Sequence, residues 1–207
     1  MQVVDFPLGP LDTNCYVIHT DKEAVVVDPG GPPDKVLEYL KSNGLTLTLI
    51  LLTHLHFDHT YGVSPLVRIT GAKTLASEED RYMLSSEPGK GGMWGLPEVE
   101  PFDYQGLFPG DMPLLGGTCK VLATPGHTPG GLSFSFPDLK AVFVGDTLFF
   151  RSVGRTDFPR GDQATLMNSI RTQLFTLPDE TVVYPGHADF TSIGDEKRNN
   201  PYVGDYV

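Results

Sequence analysis

Three of the chain's six histidines fall within six residues, His54-Leu55-His56-Phe57-Asp58-His59. At these residue frequencies such crowding carries a low risk of being chance. A lone histidine is usually a satisfied or exposed imidazole. Three with an aspartate crowd titratable groups for no gain unless they bind a metal, and imidazole and carboxylate are ligands for that. On an extended segment side chains repeat every two residues, so His54 and His56 point the same way and can grip one ion. Asp58 and His59 follow where the segment turns, so they face a neighbouring point. Two adjacent grips are what a pair of close metals needs.

Further ligands are expected at the ends of other strands. His127 follows Thr124-Pro125-Gly126 and His187 follows Tyr184-Pro185-Gly186, one shared construction of strand, Pro-Gly turn and histidine. Asp146 closes the run Phe143-Val144-Gly145-Asp146. His19 is left over and is assigned no role.

Ligands need stiff elements to hold them. Short apolar runs bounded by Gly and Pro read as strands over residues 24–27, 45–53, 119–123, 141–144 and 181–184. The first runs into Asp28-Pro29-Gly30-Gly31, the others into the histidine and aspartate clusters above. Val36, Leu37 and Leu40 share a helical face that Asn43-Gly44 ends. Ser77-Glu78-Glu79-Asp80 reads as an N-cap followed by acids that the helix dipole favours. Leu166, Met167, Ile170 and Leu174 follow a helical period, with Asp162 or Gly161 as the start. Residues 88–113 show neither period and read as a long irregular loop, either a lid or binding loop or a surface excursion without a role. Tyr82, Lys90 and Trp94 could touch a substrate from this region, though nothing in the sequence assigns them.

At ~150 residues per domain, 207 residues favour one large domain, spanning 1–207, over two small ones. The formal charge of −11 repels phosphate backbones, and no basic patch offsets it, so nucleic acid is excluded as a partner. No stretch reaches the ~18 apolar residues of a membrane span. The N-terminus lacks the pattern of a secretory signal, which makes a cytoplasmic location the default. Cys15 and Cys119 sit in no metal-binding spacing and are expected to be buried packing residues.

These residues together resemble the metallo-β-lactamase superfamily. The H-x-H-x-D-H cluster, the Gly126-His127, Gly145-Asp146 and Gly186-His187 pairs stand in that family's order, and the likeness spans the Asp28-Pro29-Gly30 turn to His187. The resemblance implies an α/β class fold (α+β by some schemes), an αββα sandwich in a single domain. It implies two divalent metal ions. His54, His56 and His127 would hold one, and Asp58, His59 and His187 the other, with Asp146 bridging. A hydroxide between the metals would be the nucleophile, because metal binding lowers the pKa of water from ~15.7 towards ~7. Asp58 would orient it and take up its proton. Imidazole and carboxylate suit zinc, iron and manganese alike.

The segment Gly154-Arg155-Thr156-Asp157-Phe158-Pro159 and the tail from Gly194 to Tyr202 look like the glyoxalase II branch, more closely its short bacterial single-domain members. That branch hydrolyses acyl-glutathione thioesters, typically S-D-lactoylglutathione. The implied partner is a small-molecule thioester, with no nucleic acid and no membrane, acting on a monomer or small homo-oligomer. A thiolate of pKa ~8.5 leaves without a strong acid. The C-terminal helical domain of full-length glyoxalase II, which carries basic residues for glutathione, has no counterpart here. Arg155 is read as a structural ion pair with Asp157 or Asp162 rather than a substrate contact.

Two rival readings use the same residues. Persulfide dioxygenases share the Gly-Arg-Thr-Asp-Phe segment and use one iron, which His54, His127 and Asp146 would hold. A lactonase or other small-ester hydrolase would use the dinuclear set. Metal storage or a flavoprotein oxygen-reductase module fits less well, since the ligand set is complete for hydrolysis and no flavodoxin-like segment follows.

Overall fold

The computed structural model describes residues 1–204, with Trp94 described by its backbone alone. Residues 205–207 and the Trp94 side chain lie outside the described residues. The chain comprises two compact units, Met1–Leu107 and Phe108–Val207.

The first unit is built on a six-stranded sheet in the order β1-β2-β3-β4-β5-β6. Its strands are β1 (Gln2–Leu8), β2 (Thr13–His19), β3 (Glu23–Val27), β4 (Thr46–Leu51), β5 (Lys73–Ala76) and β6 (Gln105–Gly106). β1, β2 and β3 pair antiparallel, and β3 to β6 run parallel. Parallel neighbours need crossover connections. α1 (Asp34–Ser42) supplies the one between β3 and β4, while α2 (Phe57–Thr60) and α3 (Val63–Thr70) lie between β4 and β5. The near-continuous apolar runs of β3 and β4 are those of strands buried on both faces, and Val25, Val26, Ile50 and Leu51 are fully buried. Val36 and Leu40 of α1 and Val63 and Leu66 of α3 join Val26 and Ile50 in one core.

The second unit has a six-stranded sheet in the order β14-β13-β10-β9-β8-β7. These strands are β7 (Gly110–Leu114), β8 (Gly117–Ala123), β9 (Leu132–Phe136), β10 (Ala141–Gly145), β13 (Val182–Pro185) and β14 (Thr191–Ser192). A separate hairpin of β11 (Leu148–Phe149) and β12 (Ser152–Val153) follows β10. β10 and β13 pair parallel, with Phe143 opposite Tyr184. α5 (Gln163–Ser169) starts where the sequence places it, for Asp162 Oδ1 accepts the Thr165 amide at 2.7 Å. Leu166, Ile170 and Leu174 enter a core with Val142, Val144 and Val183, and Ile193 of α6 (Ile193–Asn199) joins it.

Two expectations need correction. Residues 88–113 are not one irregular loop. A short helix, α4 (Glu87–Lys90), precedes a turn closed by Val99 N–H to Lys90 O at 2.9 Å and Gly92 N–H to Pro97 O at 3.1 Å. The stretch then supplies β6 and most of β7. β7 escapes a pattern search because it contains Pro113, which a sheet tolerates at an edge strand, and β7 is the edge. The Ser77 cap is real, accepting from Glu79 N–H at 3.3 Å, but the turn it opens, Glu78–Ser85, is a 3₁₀ helix.

Cys15 and Cys119 are both fully buried free thiols. Burial pushes the Cys119 thiol up to about 12, helped by Asp111, and pushes Cys15 well above its usual value, helped by Asp28. The thiolate is the reactive form, and a raised pKa leaves little of it at pH 8. Both thiols are therefore expected to resist an aromatic disulfide reagent in the native protein and to react once urea unfolds it. Stoichiometric colour within seconds under native conditions would contradict their placement.

Candidate metal centre

In the first unit the crowded histidines lie just beyond β4. The chain leaves the sheet at Leu51, bends at Thr53, is extended at His56 and turns into α2 at Phe57. His54, His56, Asp58 and His59 are all buried. The His54 ring centroid lies 4.7 Å from that of His56 and 4.1 Å from that of His59. The shared face expected of His54 and His56 is present, and His59 is brought to it by the turn. Asp58 Oδ2 sits 3.6 Å from His59 Nε2 and receives the Thr13 hydroxyl at 3.4 Å.

Asp28 holds this cluster from behind, a role beyond the turn that it marks in the sequence. It is 2 % exposed. Its Oδ1 accepts Thr53 N–H at 2.8 Å, and its Oδ2 accepts the Thr53 hydroxyl at 2.6 Å and His59 Nδ1 at 2.9 Å. A carboxylate only accepts, so His59 carries its proton on Nδ1 and a lone pair on Nε2. The Thr53 hydroxyl spends its hydrogen on Asp28 and therefore accepts from His54 Nδ1, 3.0 Å away. His54 has the same tautomer for that reason. Gly30 makes the approach of the Asp28-Pro29-Gly30-Gly31 turn feasible: a Cβ there would lie 1.9 Å from the Asp58 carbonyl oxygen.

In the second unit three strand ends converge. Asp146 follows β10, His187 follows β13, and His127 follows β8 after the Thr124-Pro125-Gly126 turn. Asp146 Oδ2 stands 3.7 Å from His127 Nε2 and 3.7 Å from His187 Nε2. The two Pro-Gly turns are pinned by their own main chain. Gly186 N–H reaches Gly145 O at 2.8 Å, beside Asp146, and Asp162 N–H reaches Gly126 O at 2.8 Å, beside His127. His127 Nδ1 donates to the Arg155 carbonyl at 2.7 Å, which again puts the lone pair on Nε2. Arg155's guanidinium is engaged elsewhere, in a two-pronged pair with Asp157 at 2.6 Å that holds the Asp157 carboxyl down at about 2. That bears out the expected ion pair, while Asp162 caps α5 instead.

Both clusters fit a metal by the chemistry of their donors. Ligating histidines donate the other ring nitrogen to a fixed acceptor, which sets the tautomer: His59 donates to the Asp28 carboxylate, His127 to the Arg155 carbonyl, and His54 to the Thr53 hydroxyl that Asp28 holds. Separations of 3.6–3.7 Å between histidine nitrogen and aspartate oxygen are too long for hydrogen bonds. Two ligand atoms ~2.0–2.2 Å from one tetrahedral ion stand about 3.3–3.6 Å apart. His19, by contrast, is satisfied as an ordinary buried histidine, with Nδ1 at 2.7 Å from Thr20 O and Nε2 at 2.9 Å from the Tyr39 hydroxyl.

The metallo-β-lactamase superfamily model matches residues 8–187. The chain belongs to that superfamily, has its α+β fold and is a metallo-hydrolase. More particularly, it is 37% identical over 208 residues to the hydroxyacylglutathione hydrolase GloC of Haemophilus influenzae, with 98% of each chain covered. Among solved structures it is similar to the BLEG-1 B3 metallo-β-lactamase, with 35% identity, a TM-score of 0.90 and coverage of 98% of this chain and 99% of that one. It is also similar to TTHA1623, solved in a di-iron-bound form, with 39% identity, a TM-score of 0.87 and coverage of 96% and 99%. Among the described residues no helix is long and apolar enough to cross a membrane.

Proposed function

We propose that this metallo-hydrolase cleaves acyl-glutathione thioesters, S-D-lactoylglutathione first among them, in the cytoplasm. In this reading the protein holds two divalent ions, zinc or iron, with manganese also compatible with the ligands. His54, His56 and His127 would hold one ion and Asp58, His59 and His187 the other, with Asp146 contributing to both. The metal assignment is carried by the histidine tautomers, set by Asp28, Thr53 and the Arg155 carbonyl. The substrate class is supported by the full-length likeness to GloC, and the pair of ions by the di-iron form of TTHA1623.

Bound metal supplies acidified water and a Lewis acid for the acyl carbonyl. The chain's own residues do the rest. Asp58, buried and aimed by the Thr13 hydroxyl, takes up the proton of the attacking water. Asp28 and the Arg155 carbonyl keep the histidine rings from rotating, so that the reacting geometry needs no reorganisation. The thiolate leaves without a dedicated acid, because its pKa is ~8.5.

Purified, metal-analysed protein is expected to hydrolyse S-D-lactoylglutathione with kcat/KM above ~10⁴ M⁻¹s⁻¹ and to lose that activity to a chelator. Full metal content without loss of the thioester would reject the substrate class. Oxygen uptake on glutathione persulfide would move the site to dioxygenase chemistry, and turnover of lactones alone would move it to ester hydrolysis.

A further inference from the structure

The carbonyl that fixes His127 belongs to Arg155, and Arg155 sits at the end of a connection that starts at Asp146. That connection is the β11–β12 hairpin, with only Leu148 opposite Val153 and Phe149 opposite Ser152. A two-stranded hairpin this short does not hold itself in water. Its tip is also strained, for Arg151 has φ +54, in the left-handed region that a long side chain avoids. Its exit is tight: a Cβ on Gly154 would lie 1.9 Å from the Asp146 carbonyl oxygen and 3.5 Å from His127 Cβ. Whatever anchors the hairpin therefore sets the spacing between two candidate ligands.

The anchor is Glu196, on α6. Its side chain is fully buried, though it lies in the charged run Asp195-Glu196-Lys197-Arg198. Oε2 accepts Arg151 N–H at 3.0 Å and Asn200 Nδ2 at 2.8 Å. Oε1 accepts Arg151 Nη1 at 2.7 Å and the Thr191 hydroxyl at 2.6 Å. Asn200 Nδ2 also donates to Ser152 O at 3.0 Å. The hairpin tip is thus held at both its main-chain faces, by Glu196 at Arg151 and by Asn200 at Ser152. Thr191 lies four residues beyond His187, so the same carboxylate also ties down the strand that follows the third candidate ligand. A buried carboxylate is expensive unless every lone pair is used, and this one has a donor on each side of both oxygens.

We infer that Glu196 is a positioning residue for the second unit's ligand cluster: by clamping the 148–153 hairpin it sets where the Arg155 carbonyl holds the His127 ring relative to Asp146. The inference rests on the proposed metal centre. A plain alternative is that Glu196 only attaches α6 to the sheet, and the two roles separate experimentally. Glu196→Gln keeps the volume but presents an amide N–H to two donors. Val203→Ala, in the core that α6 covers, serves as the purely structural comparison.

Two readouts are needed. In the metal-free protein the His127 Nδ1 proton, bonded to Arg155 O, should give a slowly exchanging imidazole resonance, assigned by its loss in His127→Gln. Competition with a chromophoric chelator gives zinc affinity, and the cobalt-substituted protein gives ligand-field bands. Glu196→Gln should broaden or lose the imidazole resonance, weaken zinc binding by ~10–100-fold and shift the cobalt bands. Val203→Ala should leave all three as in the native protein, even where its Tm falls equally. Native resonance, affinity and bands in Glu196→Gln would overturn the inference whatever its Tm. A native protein that binds no zinc or cobalt would instead remove the metal centre itself, and the imidazole resonance would still report on the clamp. Should Glu196→Gln not fold, Arg151→Gly, which suits the left-handed tip but drops the guanidinium, is expected to move the same readouts by a smaller factor, and no movement would count against the clamp.

Discussion

Replacing Asp146 by alanine is expected to abolish stoichiometric metal binding and to lower kcat/KM by well over ~10²-fold, since losing a group that merely orients a ligand already costs ~10–100-fold. The reason is geometric. One oxygen of Asp146 stands 3.7 Å from both His127 Nε2 and His187 Nε2. It is the anionic oxygen on which two histidines from different strands converge, and neither histidine can take its place. The fold should survive, because the backbone there is held by other means. Gly186 N–H bonds to Gly145 O, Thr147 N–H to Val144 O and Gly154 N–H to Thr147 O. The Asp146 side chain is partly exposed, so its removal opens no core cavity. Metal analysis, far-UV circular dichroism and thioester turnover on the same preparation test this. A folded Asp146→Ala protein with native metal content and turnover would remove the second unit's cluster from the active site. Asp138→Ala, an acid on the turn before β10, is the matched control and should change none of the three.

Much of this site is legible in one dimension because its parts are local. The His54-to-His59 cluster lies within a single turn of chain, and β10 and β13 announce their ends by apolar runs that stop at Gly-Asp and Pro-Gly-His. The tautomer-setting partners are not local. Asp28 reaches His59 across 31 positions, and the Arg155 carbonyl reaches His127 across 28. A main-chain carbonyl has no sequence signature at all. Asp28 reads as the start of a turn, and only its place after a buried strand hints at more.

The missed strands have physical reasons too. β1 is an edge strand with Asp5 and Pro7 in it and alternates irregularly between exposed and half-buried. β2 is buried throughout, but its apolar run, Cys15–Ile18, is flanked by Thr13, Asn14 and His19 rather than by the Gly and Pro that bound the other strands. Glu196 hides inside a charged run that reads as solvated surface. One signal was present: Ile193, Glu196 and Asn200 fall at i, i+3 and i+7, the face of a helix that turns inward, and all three are buried. A charge on such a face implies partners waiting for it, and the partners here are on the hairpin.

Asp28→Asn is expected to keep the fold and lose ~10–100-fold in metal affinity, with turnover falling at least as far. The substitution is nearly isosteric, and asparagine tolerates the φ of +48 that Asp28 adopts. What changes is hydrogen-bond polarity. Asp28 offers two accepting oxygens to three donors, Thr53 N–H, the Thr53 hydroxyl and His59 Nδ1. Asparagine offers one. If its oxygen stays on Thr53 N–H, its amide N–H₂ faces His59 and forces Nδ1 to accept. The proton then moves to Nε2, and the lone pair needed for a metal is gone. The Thr53 hydroxyl also loses its acceptor, which frees it to rotate and to release His54. If the amide flips, its N–H₂ opposes the Thr53 amide, and a buried donor loses its partner at about 1–3 kcal/mol. Asp28→Ala should destabilise more and bind metal no better, since it leaves three buried donors unmet and places alanine at a left-handed φ. The ¹⁵N shifts of the His59 ring report the tautomer directly. Native affinity in Asp28→Asn with Nδ1 still protonated would show that Thr53 and the surrounding turn set the ring without the carboxylate's charge.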